Sequence, residues 1–597
     1  MVLFHEPSFR TELQQILSTG YVRKDRSAFV YLAVLVIGVG ARYAAGSPDA
    51  ESSYQGHDLD SLGRKLIRCI ELKLLEIFDE SGIEAVQIAI VMSSYHLYHG
   101  LPKRSFATLG SALKVALSIG LHKESSWRMS DHVVKEVWRR LWWALYTAEV
   151  FGAISYGTPC LMQDNEWDVA MPANIEDVAL TCPGFDSQET YEGVTVGPVT
   201  IFSYQRFKFR LYRIASAITR NIYLRSGVTL KDIVREIKCI NQRLTRWEKC
   251  IPPELRPESL KSLPTNERCR ETTKVFQLQA LVLQLSYDNI QLVLHRPLLT
   301  MNQVPRWPLI VGIPSRNTAD EGLNECADEV NDMIKSSKCQ CWISSLRTST
   351  IGDYPDHLVA SRSTHGAAYT GIQSFTAGVV LGIFALSDPL SDQAHQAKRA
   401  LSKIIKLPKL HQYRTTVSDQ CGQILEELLR LILAEEMKAL LVDTGGPFNS
   451  GRTSANNNIA GSANVSGTDT TYDRNQCSGA LSDLNQNRSQ SLSQGSELDM
   501  DTDFFPLQSL LPSDIHDGNF SDALLSLQDV FRDGKGNATP AYVSRSQLST
   551  RTTPTVTNMQ LPLSQVPGNA PPRTTKPFDI TTQAWIWDDL LWLPDAS

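Results

Sequence analysis

Three tryptophans fall within six residues, at Trp138, Trp142 and Trp143. That much indole surface is costly to leave in water. Around them Val134, Trp138, Leu141, Trp142, Leu145 and Ala148 recur at steps of three and four, which is helical spacing. The spacing predicts a helix from about Asp131 to Ile154. Trp143 and Tyr146 widen the stripe sideways, so the helix is expected to touch neighbours on more than one side. Glu136 precedes Arg140 by four residues, the favourable order for an exposed ion pair. Gly157 and Pro159 supply the stop. This helix reads as the hub of a large helical domain.

Two amphipathic helices precede it. Val86, Ile90, Met92, Tyr95 and Leu97 mark the first. Leu109, Leu113, Ala116, Leu117 and Ile119 mark the second, which Gly120 ends by taking positive φ. Further helical patterns cover a short entry helix carrying Phe9, Leu13 and Ile16, then Leu62 to Ile77, Phe202 to Tyr223, Leu230 to Trp247 and Thr273 to His295. Others lie near 320–337, 365–387, 390–405 and 418–442. The 273–295 pattern is apolar on two sides, as befits an inner helix, and Pro297 closes it by disfavouring α geometry at the preceding residue. Glu166 to Pro198 reads as connection, and 302–318 as a proline-rich loop. The fold class expected is all-α.

The pattern Gly120-Leu121-His122-Lys123, then Glu136, Arg139, Arg140, Leu141, Trp142, Trp143 and Tyr146, then Gly157, Pro159, Asp164, Asp168 and Pro172, resembles the fungal-specific transcription factor domain. That domain is the middle homology region of fungal zinc-cluster regulators. The opening Leu3-Phe4-His5-Glu6-Pro7-Ser8-Phe9 resembles its start, and Leu294-His295-Arg296-Pro297 a later marker, so the likeness runs over roughly residues 1 to 440. Two departures each remove an arginine: Glu149-Val150 stands where the family often has Asp-Arg, and Gly157-Thr158-Pro159 where it has Gly-Arg-Pro. An ion pair or carbonyl clamp is therefore expected to be missing. The resemblance implies a helical regulatory domain that restrains an activating segment or responds to a metabolite. It also implies DNA reading by six cysteines around two zinc ions. Such a site needs C-x-x-C pairs, yet the first cysteine is Cys69, no C-x-x-C occurs, and Cys339 and Cys341 form only C-x-C. Either the zinc module is encoded elsewhere or the chain is a cluster-free relative. No zinc or other cofactor is expected in this chain, and DNA binding by it alone is expected to be weak.

Composition narrows the rest. A formal charge of −6 over 597 residues argues against coating nucleic acid by bulk charge. Eleven scattered cysteines fit a reduced compartment. No apolar core of a signal peptide follows Met1. Ala28 to Ala41 is apolar but short for a bilayer, and Thr370, Gln373, Ser374 and Thr376 interrupt Gly366 to Leu386, so both are expected as buried helices with no membrane partner. Gly38-Val39-Gly40 mimics a dinucleotide turn, but Tyr43 stands where the third glycine belongs. Those small residues read as helix-packing contacts. His96-x-x-His99 lacks further metal ligands nearby and reads as surface or partly buried. The basic cluster Arg23-Lys24-Asp25-Arg26 and the basic helix with Arg206, Lys208, Arg210, Arg213 and Arg220 read as solvated faces. No nucleophile elbow, P-loop or H-E-x-x-H motif is present, so no catalytic residue is named. An effector crevice lined by Trp138, Trp142, Tyr146 or Tyr287 is a guess.

Residues 1–444 are thus expected to form the helical regulatory domain. Residues 445–496, rich in Ser, Asn, Gly, Thr and Gln, read as a disordered linker. Residues 497–597 read as a mostly disordered acidic and aromatic tail with a short terminal helix. Its contacts to a coactivator would come from Trp585, Trp587, Asp588, Asp589, Leu590, Leu591 and Trp592; the same helix docking back on its own chain is the competing reading. The function expected is nuclear regulation of transcription in a fungus. The partners expected are a coactivator or corepressor, a zinc-cluster regulator or second copy, and a small-molecule effector. The alternatives are a cluster-free corepressor or partner subunit, and a helical small-molecule binder or enzyme.

Overall fold

A computed structural model describes residues 3–45, 57–80, 82–175, 177, 187–225, 229–261, 270–299, 318–360, 366–410 and 415–443. The linker 445–496 and the tail 497–597, with Trp585 to Trp592, lie outside the described residues.

Capping chemistry sets many of the helix ends. α1 (Glu6–Thr19) starts at His5, whose ring nitrogen accepts from the Ser8 amide, with Pro7 in the first turn where a missing N–H costs nothing. α2 spans Ser27–Ala44 and α3 Leu59–Asp79, the latter capped by Asp58 accepting from the Ser61 amide at 2.9 Å. α4 (Ile83–Tyr98) leads into α5 (Pro102–Ser118). Gly120 takes φ +75°, and the Leu121 amide reaches back to the Ala116 carbonyl at 2.9 Å, closing α5 as expected. α6 (His132–Tyr156) is capped by Asp131, which accepts from the Val133 amide at 2.8 Å, and ends at Gly157 with φ +63°.

A two-stranded antiparallel hairpin, β1 (Gln188–Tyr191) and β2 (Val194–Pro198), occupies the stretch read as connection. Its turn carries Glu192 and Gly193, both at positive φ, a two-residue geometry that the sequence offers without the usual Asn-Gly. α7 (Ser203–Ile218) runs into a π turn, Thr219–Tyr223, and α8 (Leu230–Lys249) opens with a reciprocal capping box between Thr229 and Asp232. α9 (Arg270–His295) passes through a 3₁₀ turn at Arg296–Leu298. α10 (Thr318–Ser349) continues twelve residues beyond the expected 337, and the short α11 (Pro355–Ala360) was not anticipated. α12 (Gly366–Ser387), α13 (Asp392–Leu410) and α14 (Thr416–Asp443) complete the described chain, which is all-α apart from the hairpin.

Packing follows chain order in pairs: α2 with α3, α4 with α5, α6 with α7, α9 with α10, and α12 with α13. α12 also packs on α9 and α10, and about nine-tenths of its apolar stretch is buried. Both apolar runs, Ser27–Ala44 and Ala368–Ser387, are long enough to cross a membrane by length and composition alone. Ser27–Ala44 buries Phe29, Leu32 and Leu35 against its neighbours, but only 28% of it is buried, so the expectation of a buried helix is corrected there: one face alone is covered. Gly38 and Gly63 meet where α2 crosses α3: a methyl on Gly63 would lie 2.7 Å from the Gly38 carbonyl oxygen. Gly40 has open space, so only the first glycine of Gly38-Val39-Gly40 is a packing contact.

Two charge readings need correction. The basic face of α7 is not solvated throughout. Arg206 and Arg210 converge on the fully buried Glu189 of β1, at 2.8 and 3.0 Å, and Lys208 sits against tyrosine rings; Arg213 and Arg220 alone are exposed. The cluster at 23–26 is also committed in part, since Arg26 pairs with Glu12 and with Glu84. The sequence hides this because the acids come from distant elements.

Gly63→Ala is expected to lose about 1–3 kcal/mol from the forced separation of α2 and α3, whereas Gly40→Ala is expected to gain about 0.5–1 kcal/mol from helix propensity. Urea unfolding of the two variants beside the parent chain checks both signs.

Candidate functional site

The tryptophan helix α6 is the best-buried part of the resemblance. Trp142 and Trp143 are 2% and 1% exposed. Val134 instead faces solvent, and Trp138 is half-buried edge-on to Trp127 at 5.2 Å. Trp143 and Tyr146 contact Trp167 with ring centroids 5.2 and 5.6 Å apart, and Trp142 meets Trp167 at 5.9 Å. A segment with no regular structure, from Gly157 to Ile175, is thereby laid across the helix.

Polar groups of α6 and of the turn after α5 satisfy that segment's backbone. The Trp143 indole donates to the Ala170 carbonyl at 2.9 Å. The Tyr146 hydroxyl donates to Asp164 at 2.7 Å. Arg139 grips the Glu124 carboxylate, and Glu124 accepts from the Ala170 amide at 2.9 Å. Asp168 in turn accepts from the Glu124 amide, while its own amide donates to the His122 carbonyl at 3.2 Å. The Gly120 carbonyl receives the Trp127 indole N–H at 3.0 Å. An irregular stretch needs such partners, since an unpaired buried amide costs about 1–3 kcal/mol.

Arg140 is 2% exposed and not part of a surface pair. Its guanidinium donates to both oxygens of Asp177 at 2.8 and 2.9 Å, reaches Glu136 at 3.4 Å, and lies 4.6 Å over the Phe202 ring. Glu136 also accepts from the Ala173 amide at 2.9 Å. The i,i+4 pair is therefore buried, because Ala173, Ile175 and Asp177 cover it; one helix read alone cannot show that cover. Arg206 of α7 donates to the Pro172 carbonyl. Pro159 is exposed just past the Gly157 cap. The missing clamp at Glu149 is partly replaced: its carboxylate accepts from the Leu161 amide at 2.9 Å, and burial raises its pKa.

The other signature residues lie apart from this clasp. His5 caps α1. At the end of α9, His295 bonds Ser337 of α10 at 2.9 Å, and burial lowers its pKa to about 3. Arg296 donates to the Tyr223 hydroxyl at 2.8 Å, which donates to the Val293 carbonyl, and Pro297 is buried in the 3₁₀ turn. His96 is buried and His99 half-buried; among the described residues no group of three or more His, Cys, Asp or Glu is set to hold a metal ion.

The guessed crevice is absent from the residues named for it. Trp142 and Tyr146 are packed shut, and Tyr287 stacks on Trp247 at 5.6 Å. A cleft of about 40 Å³ lies instead among α4, α5, α6, α7 and α12, with Tyr98, Thr147, Phe151, Lys208, Tyr212 and Tyr369 in its wall. Nothing in a linear pattern brings five helices together at Lys208, so the sequence carried no signal for it.

With this geometry in place, the comparisons give it a class. Residues 1–259 match the model of the fungal specific transcription factor domain. The matched stretch contains the whole clasp and stops before His295. An uncharacterized transcriptional regulatory protein of Schizosaccharomyces pombe is 23% identical over 298 residues, covering 50% of this chain and 34% of its own length. Activator of stress genes 1 of Saccharomyces cerevisiae is 22% identical over 298 residues, covering 49% and 29%. The thiamine repressible genes regulatory protein thi1 of Schizosaccharomyces pombe is 22% identical over 248 residues, covering 42% and 30%. The chain thus spans about a third of the length of these relatives. No solved structure matches it.

Arg140→Met leaves Asp177 without its guanidinium and Glu136 with only that of Arg139 at 3.8 Å, and a loss of about 3–5 kcal/mol in urea unfolding is expected. Glu124 adds a pH signature. Burial pushes its pKa up, but Arg139, the Ala170 amide and Lys135 outweigh that and bring it down to about 2. A depressed carboxylate stabilises the fold above its unfolded pKa of 4.5 and loses that effect as pH falls towards 2. The melting temperatures of the parent and Glu124→Gln are therefore expected to differ most at pH 5–7 and to converge below pH 3.

Proposed function

We propose that this chain is part of a nuclear regulator of transcription in a fungus. Its helical unit restrains the acidic and aromatic tail, and a ligand or partner that binds the open form better releases it by population shift. One observation carries this reading: the domain matched over residues 1–259 is that of fungal transcription factors, and the relatives above are named as regulators or activators. The use of the signature residues supports it as well. Arg139, Arg140 and Trp143 spend their polar groups on Glu124, Asp177 and the Ala170 carbonyl, which suits a scaffold that transmits a signal.

Within this reading DNA is recognised by a zinc cluster of the family's kind, or by a zinc-cluster partner. The tail docks a coactivator or corepressor through Trp585, Trp587, Leu590, Leu591 and Trp592, kept soluble by Asp588 and Asp589. No reaction is assigned to the chain. Residues 497–597 fused to an unrelated DNA-binding domain are expected to activate a reporter, and the triple change of Trp585, Trp587 and Trp592 to Ala is expected to abolish most of that signal. A fusion that is silent, or insensitive to the three changes, removes the activating role of the tail.

A further inference from the structure

Lys208 enters the cleft between α4, α5, α6, α7 and α12. Among the described residues its ammonium has no carboxylate within ion-pair distance. It donates one long hydrogen bond, 3.4 Å, to the Tyr204 hydroxyl. Three aromatic faces surround it, with Tyr369 at 4.8 Å, Tyr204 at 5.8 Å and Tyr212 at 5.9 Å from the charge. Burial acts to lower its pKa and the surrounding phenols to raise it, with the balance on the raised side. Cation–π contacts hold a charge in such a place but do not neutralise it. A buried cation without a counter-charge is an electrostatic vacancy for an anion.

The space fits a small one. About 40 Å³ equals the room of roughly three waters, and hence of a carboxylate with one or two further carbons. The wall divides by chemistry. Hydroxyls come from Ser93, Ser105 and Thr147, while Phe151, Leu109 and Leu97 are apolar. The Tyr212 hydroxyl is linked to Tyr369 at 3.4 Å, and Tyr369 to Ser286 at 2.6 Å, so that side of the wall is pre-ordered. Ser94, Tyr98 and Ala148 are half-buried at the rim, which leaves the cleft open to solvent.

We infer that this cleft binds a short-chain monocarboxylate, its carboxylate on the Lys208 ammonium and its alkyl group against the phenylalanine and leucine side. The site joins α4, α5, α6 and α7 of the matched domain to α12 beyond it, so an occupant couples helices that are distant in sequence. It rests on the regulatory reading above only for its consequence; binding itself is read without any reporter.

The test uses the purified full-length chain with sodium acetate, against sodium chloride at equal ionic strength. Saturation transfer to the acetate methyl and the thermal midpoint are followed together. Expected are saturable binding at millimolar acetate, a matching rise in the midpoint, and weaker responses to hexanoate and inorganic phosphate. Lys208→Met is expected to weaken acetate at least about tenfold, the scale of one lost charge-assisted hydrogen bond. Ala148→Phe keeps the charge and fills the rim, and is expected to weaken binding too; it decides the matter if Lys208→Met does not retain its helical circular dichroism. Absence of saturable acetate binding, or affinity unchanged in both variants, overturns the inference, whatever the tail fusion does in a reporter. Tighter binding of phosphate than acetate overturns the assigned ligand class.

Discussion

A turn-rich stretch of chain can lie against an apolar helix only if its amides and carbonyls find partners. α6 supplies them. Its tryptophans offer an apolar bed and one indole donor, and its adjacent arginines hold the carboxylates of Glu124, Glu136 and Asp177 in place. Those carboxylates then accept the amides of Ala170 and Ala173. Removing either half leaves the other short of partners: the buried Arg140 without its counter-charge, or the amides of Ala170 and Ala173 without acceptors. Hence the tryptophans and arginines belong to one device, and the helices around it take their positions from a covered hub.

That device also explains why α7 carries so many cations. Arg206 ties the same segment through the Pro172 carbonyl while pairing with Glu189 of the hairpin, so α6, the connection and the hairpin share one helix as their backing. Two residues on, about half a turn, Lys208 points to the other side of α7 and meets phenols in place of acids. The two residues illustrate how context divides like charges on a single helix. One completes a structural ion pair, and the other is left with π faces and a small open space.

Much of this was legible in the order of residues. Helical periodicity located the major helices, because burial of a stripe is written at steps of three and four. Gly120 and Gly157 marked ends by local chemistry, which sequence carries directly. The density of indoles around Trp142 was enough to place the hub. What escaped was everything set by cover from elsewhere. The Glu136–Arg140 pair looks exposed until Ala173, Ile175 and Asp177 are laid over it. The basic helix looks solvated until Glu189 arrives from a hairpin whose turn has no strong signal. The cleft at Lys208 needs five helices, one of them more than 150 residues downstream, and no local pattern encodes that meeting.

Amide hydrogen exchange read at single residues bears most directly on the central claim that α6 and the segment after it stand or fall as one. Expected is slow exchange at Ala170, Ala173 and the Trp143 indole, with protection equal to that of the α6 amides around Leu145, so that all open in a single cooperative event. Rapid exchange of Ala170 and Ala173 while α6 stays protected would contradict it, since the segment would then be a loose covering and the arginines and tryptophans of the helix would serve some other end.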